Sequence, residues 1–192
     1  MSHATWGLTA FVIGLAGYVP YNVAILRGQT APRISSWLVW VILDWTSFAG
    51  MLAKSELNGV VLGFSVGATI TLLNAWKHAK GWQWSTIDRW CLATAGASLV
   101  LWMFDGDPTR AVIIMGIGLM AGNIPTMLHV LKKPQDENVT AWCMYVTSVM
   151  CGLLAVTEWT IVKATTPVVF AIIDGSTLLC LCIGFIRNRD KS

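Results

Sequence analysis

Apolar residues run along this chain in long blocks, broken by short polar stretches. Seven blocks approach the about 20 residues that a helix needs to cross roughly 30 Å of hydrocarbon. They cover residues 6–26, 34–53, 57–76, 87–104, 109–131, 139–161 and 167–186. Only Lys54-Ser55-Glu56 separates the second from the third. One continuous helix there would be twice as long as a bilayer requires, so two spans are expected. Asp107-Pro108 reads as a helix start, with Asp as N-cap and Pro at the first helical position. The pattern predicts an all-α integral membrane protein of seven transmembrane helices.

Composition agrees. Of 192 residues, 55% are hydrophobic and 12% charged, about half the roughly 25% usual in soluble domains. The net charge of +3 is too small to argue for nucleic acid; the placement of the basic residues carries more. Arg27, Arg33, Lys77, Lys80, Arg89, Lys132, Lys133, Arg187, Arg189 and Lys191 fall on one side of the predicted membrane, and only Lys54, Arg110 and Lys163 on the other, ten against three. The positive-inside rule puts the N-terminus outside and the C-terminus in the cytoplasm. Trp76, Trp82, Trp84 and Trp90 read as anchors at the inner boundary. The first block lacks a basic n-region and reads as a span, not a signal peptide. The small size and the absence of sorting tails give the expectation of a bacterial inner (plasma) membrane. All five cysteines (Cys91, Cys143, Cys151, Cys180, Cys182) sit in apolar blocks and read as packing residues.

The chain also resembles itself at an offset of 105 residues. Gly17 matches Gly122, Pro20 matches Pro125, Leu26 matches Leu131, Trp37 matches Trp142 and Val41 matches Val146. Conservative pairs lie between, including Arg27 with Lys132 and Trp40 with Tyr145. After a short insertion, Gly67-Ala68-Thr69 lies over Gly175-Ser176-Thr177. Residues 6–77 and 109–187 are therefore expected to form two three-helix repeats, with 86–104 as a linker helix. Three spans reverse the chain, and one extra span restores its direction. The arrangement is 3+1+3, two parallel repeats about an axis along the membrane normal.

Each repeat carries a Gly-x-x-Pro, a short basic loop, and a Ser/Thr-and-Trp start to the next span. The segments are Gly17-Tyr18-Val19-Pro20 with Ile34-Ser35-Ser36-Trp37, and Gly122-Asn123-Ile124-Pro125 with Val139-Thr140-Ala141-Trp142. This resembles the PQ-loop superfamily, which includes SWEET-like sugar transporters, cystinosin-like lysosomal transporters and the KDEL receptor. The resemblance covers nearly the whole chain and implies transport by alternating access, with the prolines as hinges. Two features depart from the family. Tyr21 and Thr126 stand where its Gln follows the proline, and the one Pro-Gln pair, Pro134-Gln135, lies in a loop. Val66 and Asp174 stand where SWEET-like members carry a sugar-contacting Asn.

The candidate site residues follow from burial cost and spacing. Pro20 and Pro125 lack an N–H and crowd the preceding turn, so both helices should loosen there, with Gly17 and Gly122 adding room; a static kink is the alternative. Asp174 lies mid-span, where a charge costs at least about 2.5–3.5 kcal/mol, which marks it as a candidate for proton carriage or for binding a substrate ammonium. A structural Asp bonded to a neighbouring helix is the alternative. Asp44 is also mid-span, and Trp37, Trp40, Asp44 and Ser47 share one helical face that lines a pathway or packs. Asn22, Asn74 and Asn123 donate hydrogen bonds into a cavity or stitch helices together. Glu158 and Lys163 are expected as an interfacial surface pair.

Several classes are excluded. A retinal protein needs a lysine in its last span, and block 167–186 has none. His3, His78 and His129 are too scattered for a zinc site. There is no nucleotide-binding glycine loop and no nucleophile–base constellation, so neither enzyme, cofactor nor metal is expected. The expectation is a secondary transporter of a small polar solute (amino acid, cationic metabolite or sugar), with an acidic residue that hints at proton coupling. The alternative is a non-transporting ligand-binding receptor or scaffold of the same fold.

Overall fold

The computed structural model describes residues 2–30, 32, 34–53, 55, 59–78, 86–105 and 107–189. Among these are seven α-helices, one 3-10 turn and no strand. The helices are α1 (His3–Leu26), α2 (Ile34–Ala53), α3 (Gly59–His78), α4 (Thr86–Asp105), α5 (Pro108–Lys132), α6 (Val139–Leu154) and α7 (Ile161–Arg189). Four of them are long and apolar enough to cross a membrane: α1, α3, α5 over Val112–Lys132, and α7. α6, and α2 over Trp37–Ala53, are shorter apolar helices. Large apolar side chains such as Leu8, Val19, Met103 and Phe104 face outward and are mostly exposed, a surface suited to lipid rather than water. Arg33, Lys54, Glu56, Leu57, Lys80, Trp82, Trp84 and Lys191 lie outside the described residues.

Local chemistry sets the helix ends. Ser2 caps α1, its side chain accepting from the Thr5 N–H, so the helix starts three residues before the expected Trp6. Asp107 caps α5 and Pro108 follows at its first position, as expected. The connection after α6 differs from expectation. α6 stops at Leu154 instead of reaching Ile161, and α7 begins at Ile161 instead of Pro167. The Ala155 N–H closes the last turn of α6 on the Cys151 and Gly152 carbonyls. The Thr160 side chain then accepts from the Lys163 N–H and starts α7. Pro167 therefore falls inside α7. Glu158 lies in the connection, and Lys163 donates to it at 3.0 Å from the first turn of α7.

The packing order repeats along the chain. α3 packs against both α1 and α2, whose backbones stay apart and meet only through side chains such as Tyr21 and Trp37, and α7 packs in the same way against both α5 and α6. Across the centre, α1 packs on α6 and α2 on α5. α4 lies outside, against α5 and α2. A serine ties each central contact. Ser148 donates to the Ala10 carbonyl at 2.7 Å, and Ser47 donates to Met115 Sδ at 3.1 Å. Small residues let α1 approach α6 closely: a Cβ at Gly14 would lie 2.7 Å from Ser148 Oγ.

Candidate solute-binding cavity

Where the two triplets meet, six helices enclose a partly open cavity of about 500 Å³, counting the space that opens to solvent. Its walls are aromatic. All three tyrosines of the chain line it (Tyr18, Tyr21, Tyr145), with Trp37, Trp40, Trp142, Phe64 and Phe170. Tyr18 sits at the centre of this set, its ring 4.8 Å from that of Tyr145 and 6.0 Å from that of Phe64. Two acids face the space, Asp44 from α2 and Asp174 from α7. Both are buried, at 4% and 5% exposure. Among the described residues no Lys, Arg or His lines the cavity. Asp174 Oδ2 and Tyr145 Oη are buried without a hydrogen-bond partner. Buried polar atoms normally have one, so these two stand out.

Of the residues singled out in the sequence, Asp174, Asp44, Trp37 and Trp40 come together in this cavity. Ser47 and Asn74 do not. Ser47 lies one turn beyond Asp44 on α2, where the helix faces α5, and its hydroxyl goes to Met115. Asn74 donates to Asn22 Oδ1 at 2.7 Å, and Asn22 donates to Thr71 Oγ1 at 2.9 Å. This polar chain ties α3 to α1. Asn123 makes the corresponding tie between α5 and α7, donating to the Ile173 carbonyl and accepting from Thr177. Gly17 has a packing role, since a Cβ there would lie 2.9 Å from the Tyr145 ring. Gly122 is buried in α5. Pro20 lies inside α1, which stays helical through it. Pro125 lies inside α5, with its side chain outside the described part.

One end of the cavity meets a loop acid that sequence reading missed. Glu137 directly precedes Asn138, the N-cap of α6, and accepts from the Trp142 indole at 3.1 Å. It also bonds the Tyr21 side chain, which in turn bonds that of Trp37. Trp37 and Trp142 are the tryptophans matched by the internal repeat, so Glu137 and Tyr21 join the two halves. Burial pushes the Glu137 carboxyl up from 4.5 to about 7, against the lowering by the Trp142 and Asn138 N–H groups. Beside it, Asn138 Nδ2 donates to the Pro20 carbonyl at 3.3 Å. The loop after α5 therefore grips α1 at its proline.

Some of the missed residues had a signal. Tyr145 aligns with Trp40, and a tyrosine within an apolar span needs a place for its hydroxyl. Phe64 and Phe170 had none, because a cavity-lining Phe and a packing Phe look alike in sequence. Cys143, Cys151, Cys180 and Cys182 are free thiols. No group of metal-binding side chains occurs among the described residues. No family model matches the chain, and no curated protein or solved structure matches it.

Proposed function

We propose that the chain is a secondary transporter that moves a small polar solute by alternating access between two parallel three-helix repeats. One observation carries this reading. The buried carboxylates and the aromatic walls meet at the junction of the two triplets, in a space bounded by helices from both. Relative movement of the triplets would expose that space first on one side and then on the other. In this reading all seven helices span the membrane, with the N-terminus outside and the C-terminus in the cytoplasm of a bacterial inner membrane. The 16 residues of α6 reach only about 24 Å, which a locally thinned bilayer accommodates. Support for a repeat comes from the matched packing order and from the crossed contacts, α1 with α6 and α2 with α5. The resemblance to PQ-loop transporters supports the same 3+1+3 layout.

Asp174 is the proposed coupling group. A carboxyl held in an apolar wall can carry a proton as a neutral acid and a cation as its salt. The test is proton flux into proteoliposomes, read by an internal pH dye as pools of amino acids and then sugars are added outside. A solute-dependent signal that disappears in Asp174→Asn is the expected result. A flat trace, with no uptake of labelled solute either, would refute transport and leave a ligand-binding receptor of the same fold.

A further inference from the structure

The walls of the cavity bear on what it holds. Its two carboxyl groups, Asp44 and Asp174, face no counter-charge among the described residues. Its aromatic side chains present ring faces and edges around them, and a ring face attracts a cation by its quadrupole. Several of the donors are already spent, although the Tyr145 hydroxyl has no partner. The Trp37 and Trp142 indoles and the Tyr21 hydroxyl are already engaged in the Glu137 cluster. Asp174 Oδ2, by contrast, is a buried acceptor without a partner. A carboxylate oxygen in an apolar wall is costly until something positive or donating reaches it. An anion would meet two acids and, among the described residues, no cation. A sugar would need donors and acceptors in balance around its ring, whereas three donors at one end of this space are occupied.

We infer that the cavity binds a small organic cation, an alkylammonium, quaternary ammonium or guanidinium group, seated among the aromatic rings with Asp174 as its counter-ion and Asp44 as a second acid in the wall. This rests on the transport reading only for the direction of passage; the binding geometry stands without it. Tyr18 is in ring contact with Trp37, Phe64 and Tyr145, and Trp40 lines the cavity beside Trp37 at 5.1 Å between centroids. Occupation would change their surroundings, which makes tryptophan emission a direct readout.

The experiment is a titration of the purified full chain in detergent, followed by tryptophan fluorescence and by calorimetry. The probes are choline and 3,3-dimethylbutan-1-ol, which have the same shape and differ by the charge on one atom. Tetraethylammonium, methylguanidinium, glucose and acetate complete the series. Saturable binding of at least one cation is expected, with choline at least about tenfold tighter than its neutral isostere. Asp174→Asn should remove that preference and leave the weak binding of the alcohol unchanged. Equal binding of choline and the alcohol, tighter binding of glucose or acetate, or no binding by any of the three cations would overturn the inference. The two readings fail separately. Cation binding without flux contradicts transport alone, and flux of a neutral or anionic solute without cation binding contradicts the cation site alone.

Discussion

At position 18 the first half of the molecule carries a tyrosine, and 105 residues later the second half carries Asn123. The Tyr18 ring lies against Gly67 of α3, where a Cβ would overlap it, and lines the cavity. Asn123 turns to α7 and bonds Ile173 and Thr177. The first half makes its equivalent tie one turn later, from Asn22 to Thr71 and Asn74. The acids differ in the same way. Asp44 of α2 corresponds to Val149 of α6, and Asp174 of α7 corresponds to Val66 of α3. The helix packing is thus duplicated while the cavity chemistry is not. A matched position can change from tying helices to lining the space, provided the tie moves one turn along. The result is a space whose two acids come from different helices of the two halves.

The largest effect expected from breaking this asymmetry is at Asp174. Asp174→Asn should weaken solute binding or coupled flux by about 2 kcal/mol or more, some thirtyfold, while Val66→Asp should not restore it, because Val66, unlike Phe64 and Ala68 of the same helix, does not line the cavity. Radiolabelled uptake in paired single and double variants checks this; rescue by Val66→Asp would mean that the halves are interchangeable.

Next in size is a glycine pair. Gly67→Ala forces the Tyr18 ring aside and should destabilise by about 1–3 kcal/mol. Gly175→Ala, at the matched position, meets nothing within 4 Å and should be close to neutral. Thermal unfolding of the two proteins compares them, and equal losses would contradict the difference drawn between the halves.

The polar ties are a smaller and symmetrical effect. Asn22→Ala and Asn123→Ala should each cost about 0.6 kcal/mol, up to about 1.7, measured by unfolding in the same detergent. A loss confined to one of them would show that the ties are not equivalent.

The smallest effect belongs to half-buried Glu137. Its value of about 7 lies above the ordinary 4.5, so the folded protein holds a proton on Glu137 that the unfolded chain gives up between those values. The stability this lends is fully present below 4.5 and is lost as pH rises through about 7. Asp136 adds to the upward shift, and the Tyr21 hydroxyl faces the same carboxyl. The melting temperature of the parent protein should therefore fall between pH 5 and pH 8 by more than that of Glu137→Gln. Identical pH profiles would show that Glu137 does not set this pH dependence.

Much of this architecture was legible from the apolar blocks, because a helix must satisfy its own backbone in hydrocarbon and its length is set by the bilayer. The α6–α7 boundary was not. Val156 and Trp159 keep hydropathy high across a non-helical connection, and the Thr160 cap that starts α7 is one hydroxyl in an apolar context. In the site, Asp44 and Asp174 were legible because a mid-span charge is costly, and Trp37 and Trp40 because they share Asp44's helical face. The tyrosines and phenylalanines needed the arrangement of the helices. Ser47 and Asn74 were read into the pathway because a polar side chain in a span binds a solute or a neighbouring helix, and sequence does not say which. Glu137 escaped because an acid in a loop is ordinarily solvated.

The central claim, that one cavity faces each side of the membrane in turn, is tested most directly by a single cysteine at Ala68, a buried position on the cavity wall. The native cysteines would first be replaced, and sealed vesicles of known orientation treated with a membrane-impermeant thiol reagent on one side or the other. Labelling of Ala68→Cys from both sides, with rates that shift in opposite directions as solute is added, is the predicted result. Labelling from one side only, or from neither, would contradict alternating access.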